Sequence, residues 1–369
     1  MRKIRILQFP FSTNNGVTAY ATNNWRYLDK SKFECDFAVV RKSFDPAWEA
    51  MIVKSGGGIK KLLYEPDRDE EDYAKKLHDL IADHYDVVHL HTSFWKRLTV
   101  EQLAVECNIP KIIVHSHNTG IDGHSFNSQV AYDRHCELRQ QFNMNLATDF
   151  CACSNAAADW LFGERIPKER IQILKNAIEV EQYIYNRDIR DKYRREMNLD
   201  SCFVIGCIGR FSYQKNHEFL IEVFQKVARK VPNARLLLLG KGPLEAHIKE
   251  QVRRLDLEKQ VIFAGQRSDA SQLLQAMDVF CLPSRFEGFP LVLVEAQTSG
   301  LMCLTSDQID DEVCITKNLI QLPLNMKLWS DVVVNVAGGY KRENMRKAVT
   351  EAGYDIKRQI KFVEKLYLE

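Results

Sequence analysis

Short apolar runs alternate with longer amphipathic stretches along this chain. KIRILQFP (3–10) precedes GVTAYATNNWRYLDK (16–30), and CDFAVV (35–40) precedes a helical stretch near PAWEAMIVKSGG. IKKLLYE leads into DEEDYAKKLHDLIADH, then DVVHLHT (86–92) and KIIVHSHNT (111–119) flank a helix near 97–107. A polar helix is expected over roughly 127–148, and FCACS and IQILKNAI close the cycle. Continuous apolar runs separated by helices are strands covered on both faces, which means a parallel sheet. The cycle restarts at CFVIGCIGRF (202–211), followed by the helix NHEFLIEVFQKVARKV, the strand ARLLLLG, and further strands at VIFAG, VFCLPS and MCLTS. The pattern therefore predicts α/β class with two doubly wound domains, 1–178 and 179–353, and a charged connection within 178–200. The last amphipathic segment, DIKRQIKFVEKLYLE, fits either unit; 354–369 is placed back on the first.

Composition narrows the class. A chain of 369 residues fits two domains better than one. A hydrophobic share of 45% with 27% charged residues is that of an ordinary globular protein, and a net charge of +2 argues against nucleic acid as a partner. Five of the ten cysteines, Cys35, Cys151, Cys207, Cys281 and Cys303, sit in apolar strand-like runs and read as buried free thiols of a reducing compartment. The start MRKIRILQFPF reads as a strand, and no stretch approaches the ~20 apolar residues of a membrane span. The expectation is a cytoplasmic protein, touching at most the inner face of a membrane.

In doubly wound sheets, ligands bind outside the carboxyl ends of the strands. Arg210 ends VIGCIGR and Lys215 follows five residues later, with Gly206 and Gly209 permitting close backbone approach. Two cations beside a helix start form either a phosphate clamp or a solvated basic loop. In RFEGFPLVLVEAQTSG (285–300), Pro290 suits a first helical turn and Gly300 the position past its end, so 290–299 is expected as a helix. Its free N–H groups attract phosphate. Glu287 before it can reach a sugar hydroxyl, and Glu295 within it can reach a ribose; either acid alone is equally explained by the helix dipole. The pairs His89/His91 and His115/His117 each point one way from a strand. They read as core or strand-end histidines in preference to a zinc site, because no carboxylate or cysteine joins them at close spacing. Asp67–Arg68–Asp69 has the D-x-D form of a metal site but also the acidic composition of a helix start.

GRFSYQKN, followed about seventy residues later by PSRFEGFPLVLVEAQTSG with its E-x7-E spacing, resembles the retaining glycosyltransferases of the GT-B fold, family 4. NNGVTAY resembles the family's glycine loop, with Asn15 in place of its first glycine; LKNAIEV and GKGP match further segments. The resemblance covers nearly the whole chain. It implies two Rossmann-like domains facing across a cleft, with the acceptor on the first and the nucleotide sugar on the second. It implies metal-independent transfer from a nucleoside diphosphate sugar, UDP by family frequency, with no cofactor beyond that co-substrate. Arg210 and Lys215 would neutralise the leaving diphosphate, Glu287 orient the donor sugar and Glu295 bind the ribose. Gly16, Gly288, Phe289, Pro290 and Leu291 would complete the donor site, and His117 would stand beside the donor sugar.

The acceptor side is weakly encoded. His91, Ser93 and His115 are candidates there; Lys60, Lys61, Lys96 and Arg97 with nearby aromatics fit contact with an anionic lipid surface, but ordinary loop exposure is the preferred reading. The segment from YDRHCELRQQF to AAADWLFG resembles a subgroup of capsule and exopolysaccharide assembly, implying a glycan or polyprenyl-diphosphate-linked acceptor. The alternatives are a nucleotide-sugar epimerase or hydrolase of the same fold and a non-catalytic nucleotide-sugar binding subunit.

Overall fold

A computed structural model describes residues 2–11, 16–40, 45–62, 70–123 and 126–369. The chain divides into two compact units. The first comprises Met1–Ile121, Phe126–Ala177 and Ile356–Glu369; the second comprises Ile178–Asp355 with Asp122–Ser125.

The first unit's strands are β1 (Ile4–Phe11), β2 (Phe33–Val39), β3 (Gly58–Lys61), β4 (Val87–Thr92), β5 (Lys111–Ser116), β6 (Asp149–Ala152) and β7 (Ile171–Ile173). Among the described residues they form one parallel sheet in the order β3-β2-β1-β4-β5-β6-β7. Val87, Val88, Ile112, Ile113 and Val114 are buried, which is why β4 and β5 carry continuous apolar runs before their histidines. The polar helix is shorter than expected. It spans Phe126–Gln141, and the Asn143 side chain then caps a 3-10 turn over Met144–Leu146. The C-terminal helix Ile356–Leu368 belongs to this unit: Ile360, Val363, Leu366 and Tyr367 join the core around Ile6, Phe33 and Cys35. Asp29 N–H donates to Glu364 Oε1 at 3.0 Å, and Lys111 Nζ donates to the Leu366 carbonyl at 2.6 Å, a cation on the negative end of the helix.

The second unit's strands are β8 (Phe203–Ile208), β9 (Ala234–Leu239), β10 (Val261–Gly265), β11 (Val279–Leu282), β12 (Met302–Ser306) and β13 (Leu319–Leu322). They pair in parallel in the order β10-β9-β8-β11-β12-β13. The order reverses between β8 and β11, so the loops leaving these two strands flank the crevice where such sheets bind ligands. The stretch 178–200 is not a bare connection. It carries the helix Arg187–Glu196, whose Arg190 and Arg194 bind Asp278 at 2.5 and 3.1 Å, while Asp278 also accepts from Val204 N–H at 2.7 Å. Two of its charges, Arg190 and Arg194, thus serve an ion network within the unit. At the crossover, Ile178 N–H donates to the Tyr354 carbonyl at 3.0 Å, so the outgoing and returning chains lie side by side.

Candidate active site

The second unit brings three of the expected residues to the β8/β11 switch. Glycines shape the floor. A Cβ on Gly206 would strike Met277 Sδ at 2.0 Å, and one on Gly240, at φ +138°, would lie 2.0 Å from the Gly209 carbonyl oxygen. The turn after β9 therefore presses directly on the turn after β8 and fixes the stretch leading to Arg210. The Arg210 side chain is exposed and makes no hydrogen bond or ion pair among the described residues. The Lys215 stem lies over Gly209, and its Nζ meets Glu287 Oε1 at 2.5 Å. Asn216, in the left-handed conformation asparagine tolerates, then starts the helix His217–Lys230.

Glu287 is 8% exposed and accepts a second bond from Gln214 Nε2 at 3.2 Å; the same nitrogen also donates to the Phe286 carbonyl at 3.0 Å. The residue expected at the diphosphate and the one expected at the donor sugar thus hold each other, and Gln214 adds a donor to Glu287. Gln214 lies inside GRFSYQKN, so its neighbourhood was visible in the motif although its partner was not.

The following helix runs Leu291–Thr298, one residue shorter at each end than expected, with Pro290 at the N-cap in extended backbone and no side-chain cap. Pro290 keeps its natural φ there, −79°. Gly300, at φ +69°, follows the helix as anticipated. Gly288 and Pro290 are buried and Leu291 partly so. The Phe289 ring stacks on Tyr354 at 4.9 Å and 11° and so packs within the second unit. Glu295 accepts from the Tyr183 hydroxyl at 2.9 Å. Burial raises its carboxyl to about 6, against the lowering effect of that bond. Tyr183 carried no sequence signal.

The remaining candidates lie in the first unit. Gly16, exposed, opens the helix Gly16–Tyr27, and a Cβ there would meet nothing within 4 Å. Residues 12–15, including Asn15, lie outside the described residues, as do Asp67–Arg68–Asp69. Ser93 gives its carbonyl to Trp160 Nε1 at 2.8 Å. His117 follows β5, partly buried, with Nε2 2.9 Å from His91 Nδ1. Its ring stacks on His115 at 4.1 Å. His91 and His115, expected to line the acceptor, are 5% and 0% exposed. They back His117 from inside the sheet's covered face. Burial depresses all four histidines, holding His89 and His117 at about 3. His89, His91 and His115 do bring ring nitrogens within 4.8 Å of one another. A cation reading fits poorly, because both nitrogens of His89 and of His91 and one of His115 are already engaged with side chains.

Two parallel Rossmann-like units, with paired cations and a buried carboxylate at the switch of the second, are the architecture of the GT-B glycosyltransferases. Residues 14–182 match the family model Glycosyltransferase Family 4, and 189–319 match Glycosyl transferases group 1. The chain is 30% identical over 362 residues to the putative glycosyltransferase EpsF of Bacillus subtilis, covering 94% of this chain and 91% of that protein. It is 26% identical over 314 residues to the Escherichia coli UDP-Gal:alpha-D-GlcNAc-diphosphoundecaprenol alpha-1,3-galactosyltransferase, covering 79% and 77%. The structure resembles Anabaena Alr3699/HepE in complex with UDP and glucose, with a TM-score of 0.73 at 17% identity over 99% of this chain and 95% of that one. The chain belongs to glycosyltransferase family 4 and has the GT-B fold.

Proposed function

We propose that this enzyme moves a sugar from a nucleoside diphosphate sugar, UDP-linked, to a glycan or polyprenyl-diphosphate-linked acceptor in polysaccharide assembly, with retention at the anomeric carbon. The observation that carries the reading is the Lys215–Glu287 couple beside the unpaired Arg210 at the β8/β11 switch. Departure of the diphosphate concentrates negative charge on its oxygens. Lys215, held by Glu287, and the uncapped N–H groups at Leu291 supply preorganised positive potential there, and the exposed Arg210 adds a second cation. Glu287 holds the Lys215 ammonium in place and offers its carboxylate to the donor sugar; Glu295, steadied by Tyr183, takes the ribose. By the family pattern Gly16 meets the diphosphate and His117 the donor sugar. These groups supply the charge compensation that a metal gives elsewhere, so we assign the reaction no metal or cofactor. The donors of the relatives support UDP: one is named for UDP-Gal and another is seen with UDP. The name of the Escherichia coli relative also supports the polyprenyl acceptor and, with it, work at the cytoplasmic face of a membrane; among the described residues no helix is long and apolar enough to cross one.

The test is transfer from UDP-glucose or UDP-galactose to a short-chain polyprenyl-diphosphate-linked N-acetylglucosamine, followed by NMR of the new glycosidic bond. An α-linkage from the α-linked donor is the expected product. A β-linkage would overturn retention, and release of free sugar or an epimerised donor in place of transfer would overturn the reaction class.

A further inference from the structure

Five polar side chains that the reaction does not absorb sit behind His117. They come from three strands and the C-terminal helix, and with His117 they form one continuous chain of hydrogen bonds, with a side contact from Gln8 to Cys35. His117 Nε2 meets His91 Nδ1 at 2.9 Å; His91 Nε2 meets Gln8 Oε1 at 2.6 Å; Gln8 Nε2 meets the Tyr367 hydroxyl at 2.9 Å; that hydroxyl meets His89 Nδ1 at 2.7 Å; His89 Nε2 meets His115 Nδ1 at 3.1 Å. Gln8, His89, His91, His115 and Tyr367 are all buried, and no carboxylate takes part.

The chemistry of each group gives the chain a direction. An amide oxygen only accepts and an amide nitrogen only donates. Gln8 Oε1 therefore requires a proton on His91 Nε2. A neutral imidazole carries one proton, so His91 Nδ1 is bare and His117 Nε2 must donate to it. On the other side, Tyr367 accepts from Gln8 and has one proton left, which goes to His89 Nδ1. His89 then carries its proton on Nε2 and donates to His115 Nδ1, which leaves the His115 proton on Nε2. That last atom has no hydrogen-bond partner among the described residues, so nothing beyond it enforces a direction. Imidazoles run either way and a phenol rotates. Gln8 is the one group in the chain whose two ends are chemically fixed. Reversal would require its amide to turn over and all the protons to shift together.

We propose that Gln8 and Tyr367 are positioning residues that hold all four histidines in the Nε2–H tautomer, so that His117 presents a bare Nδ1 to accept a substrate hydroxyl. Only the final clause rests on the function proposed above. His117 Nδ1 has no protein partner among the described residues, so it is available as that acceptor. The histidines also remain neutral at physiological pH, because burial without a nearby acid opposes protonation.

The test is a long-range proton–nitrogen correlation spectrum of the imidazoles in the full chain, with histidine nitrogen-15 labelled. His89, His91, His115 and His117 should all show the Nε2–H pattern. In Gln8→Leu and Tyr367→Phe, His117 should populate the Nδ1–H form, and Gln8→Leu should lower kcat about tenfold with the donor KM unchanged, the size of one neutral hydrogen bond. Nδ1–H or mixed tautomers in the wild type would overturn the proposal, and that spectrum decides even if the variants do not fold. So would a His117 tautomer unmoved in both variants. A shifted tautomer with unchanged kcat would overturn the acceptor role of His117 while leaving the network in place.

Discussion

The Lys215–Glu287 pair gives the most decisive stability experiment. Its atoms lie 2.5 Å apart, with side chains 16% and 8% exposed. Replacing Lys215 by Met removes the ammonium from the buried Glu287 carboxylate, while Gln214 still donates to it. Breaking such a pair from one side costs about 3 kcal/mol, toward the lower end for buried pairs because the lysine retains some contact with water. In a domain of this size that corresponds to a fall of about 6–12 °C in the second unit's melting temperature. Replacing both residues by Met removes the stranded charge together with its partner, and Gln214 keeps its bond to the Phe286 carbonyl. The double variant should recover about 2 kcal/mol of the loss. Transfer should not recover with it, since the cation for the diphosphate and the carboxylate for the sugar are both gone. Calorimetry and donor turnover on the two single variants and the double close the cycle. Stability effects that add to within about 0.5 kcal/mol would refute the pairing. A double variant that regains transfer would refute the clamp.

Three further outcomes are expected. Glu295 has a folded value near 6, above its ordinary one, so it binds its proton more tightly when folded, and its ionisation takes away about 2 kcal/mol as pH rises from about 4 to 6. Glu295→Gln should therefore match the wild type near pH 4 and be more stable near pH 7.5; equal differences in urea midpoint at both would contradict this. Gly240→Ala forces a Cβ toward the Gly209 carbonyl from a backbone that disfavours side chains, and should cost about 2 kcal/mol or more in urea titrations and weaken nucleotide binding by moving Arg210. An unchanged midpoint would mean the two turns are not packed as described. Asp278→Asn leaves Arg190 and Arg194 without their carboxylate and should cost about 3 kcal/mol with the donor KM unaltered. A raised KM with full stability would point instead to a role at the donor site.

Much of the fold was legible because the strands are short, wholly apolar runs such as VIGCI and LLLL, whose burial on both faces leaves little ambiguity. Gly300 announced its helix end, and Arg210 its strand end, because glycine and a terminal cation each have a local physical reason to be there. What stayed hidden depends on which distant strands become neighbours. Lys215 and Glu287 meet because β8 adjoins β11, and Tyr367 meets Gln8 because the last helix covers β1. Phe289 read as part of a donor loop, and nothing in the sequence showed that its ring would stack on Tyr354, 65 positions further along the chain. Arg190 and Arg194 read as linker charges because a sequence does not display Asp278 beside them.

The central claim is that Arg210 and Lys215 hold a nucleoside diphosphate without a metal. Its most direct test is binding of UDP, GDP and ADP, and of their sugars, to the wild type and to Arg210→Ala and Lys215→Ala, by thermal shift and titration calorimetry with and without EDTA. The account predicts that UDP and UDP-sugars stabilise the wild type equally with and without EDTA, and that each alanine variant loses about tenfold or more in affinity, the size of one charge-assisted hydrogen bond. Binding that vanishes with EDTA, or that persists undiminished in both variants, would contradict it.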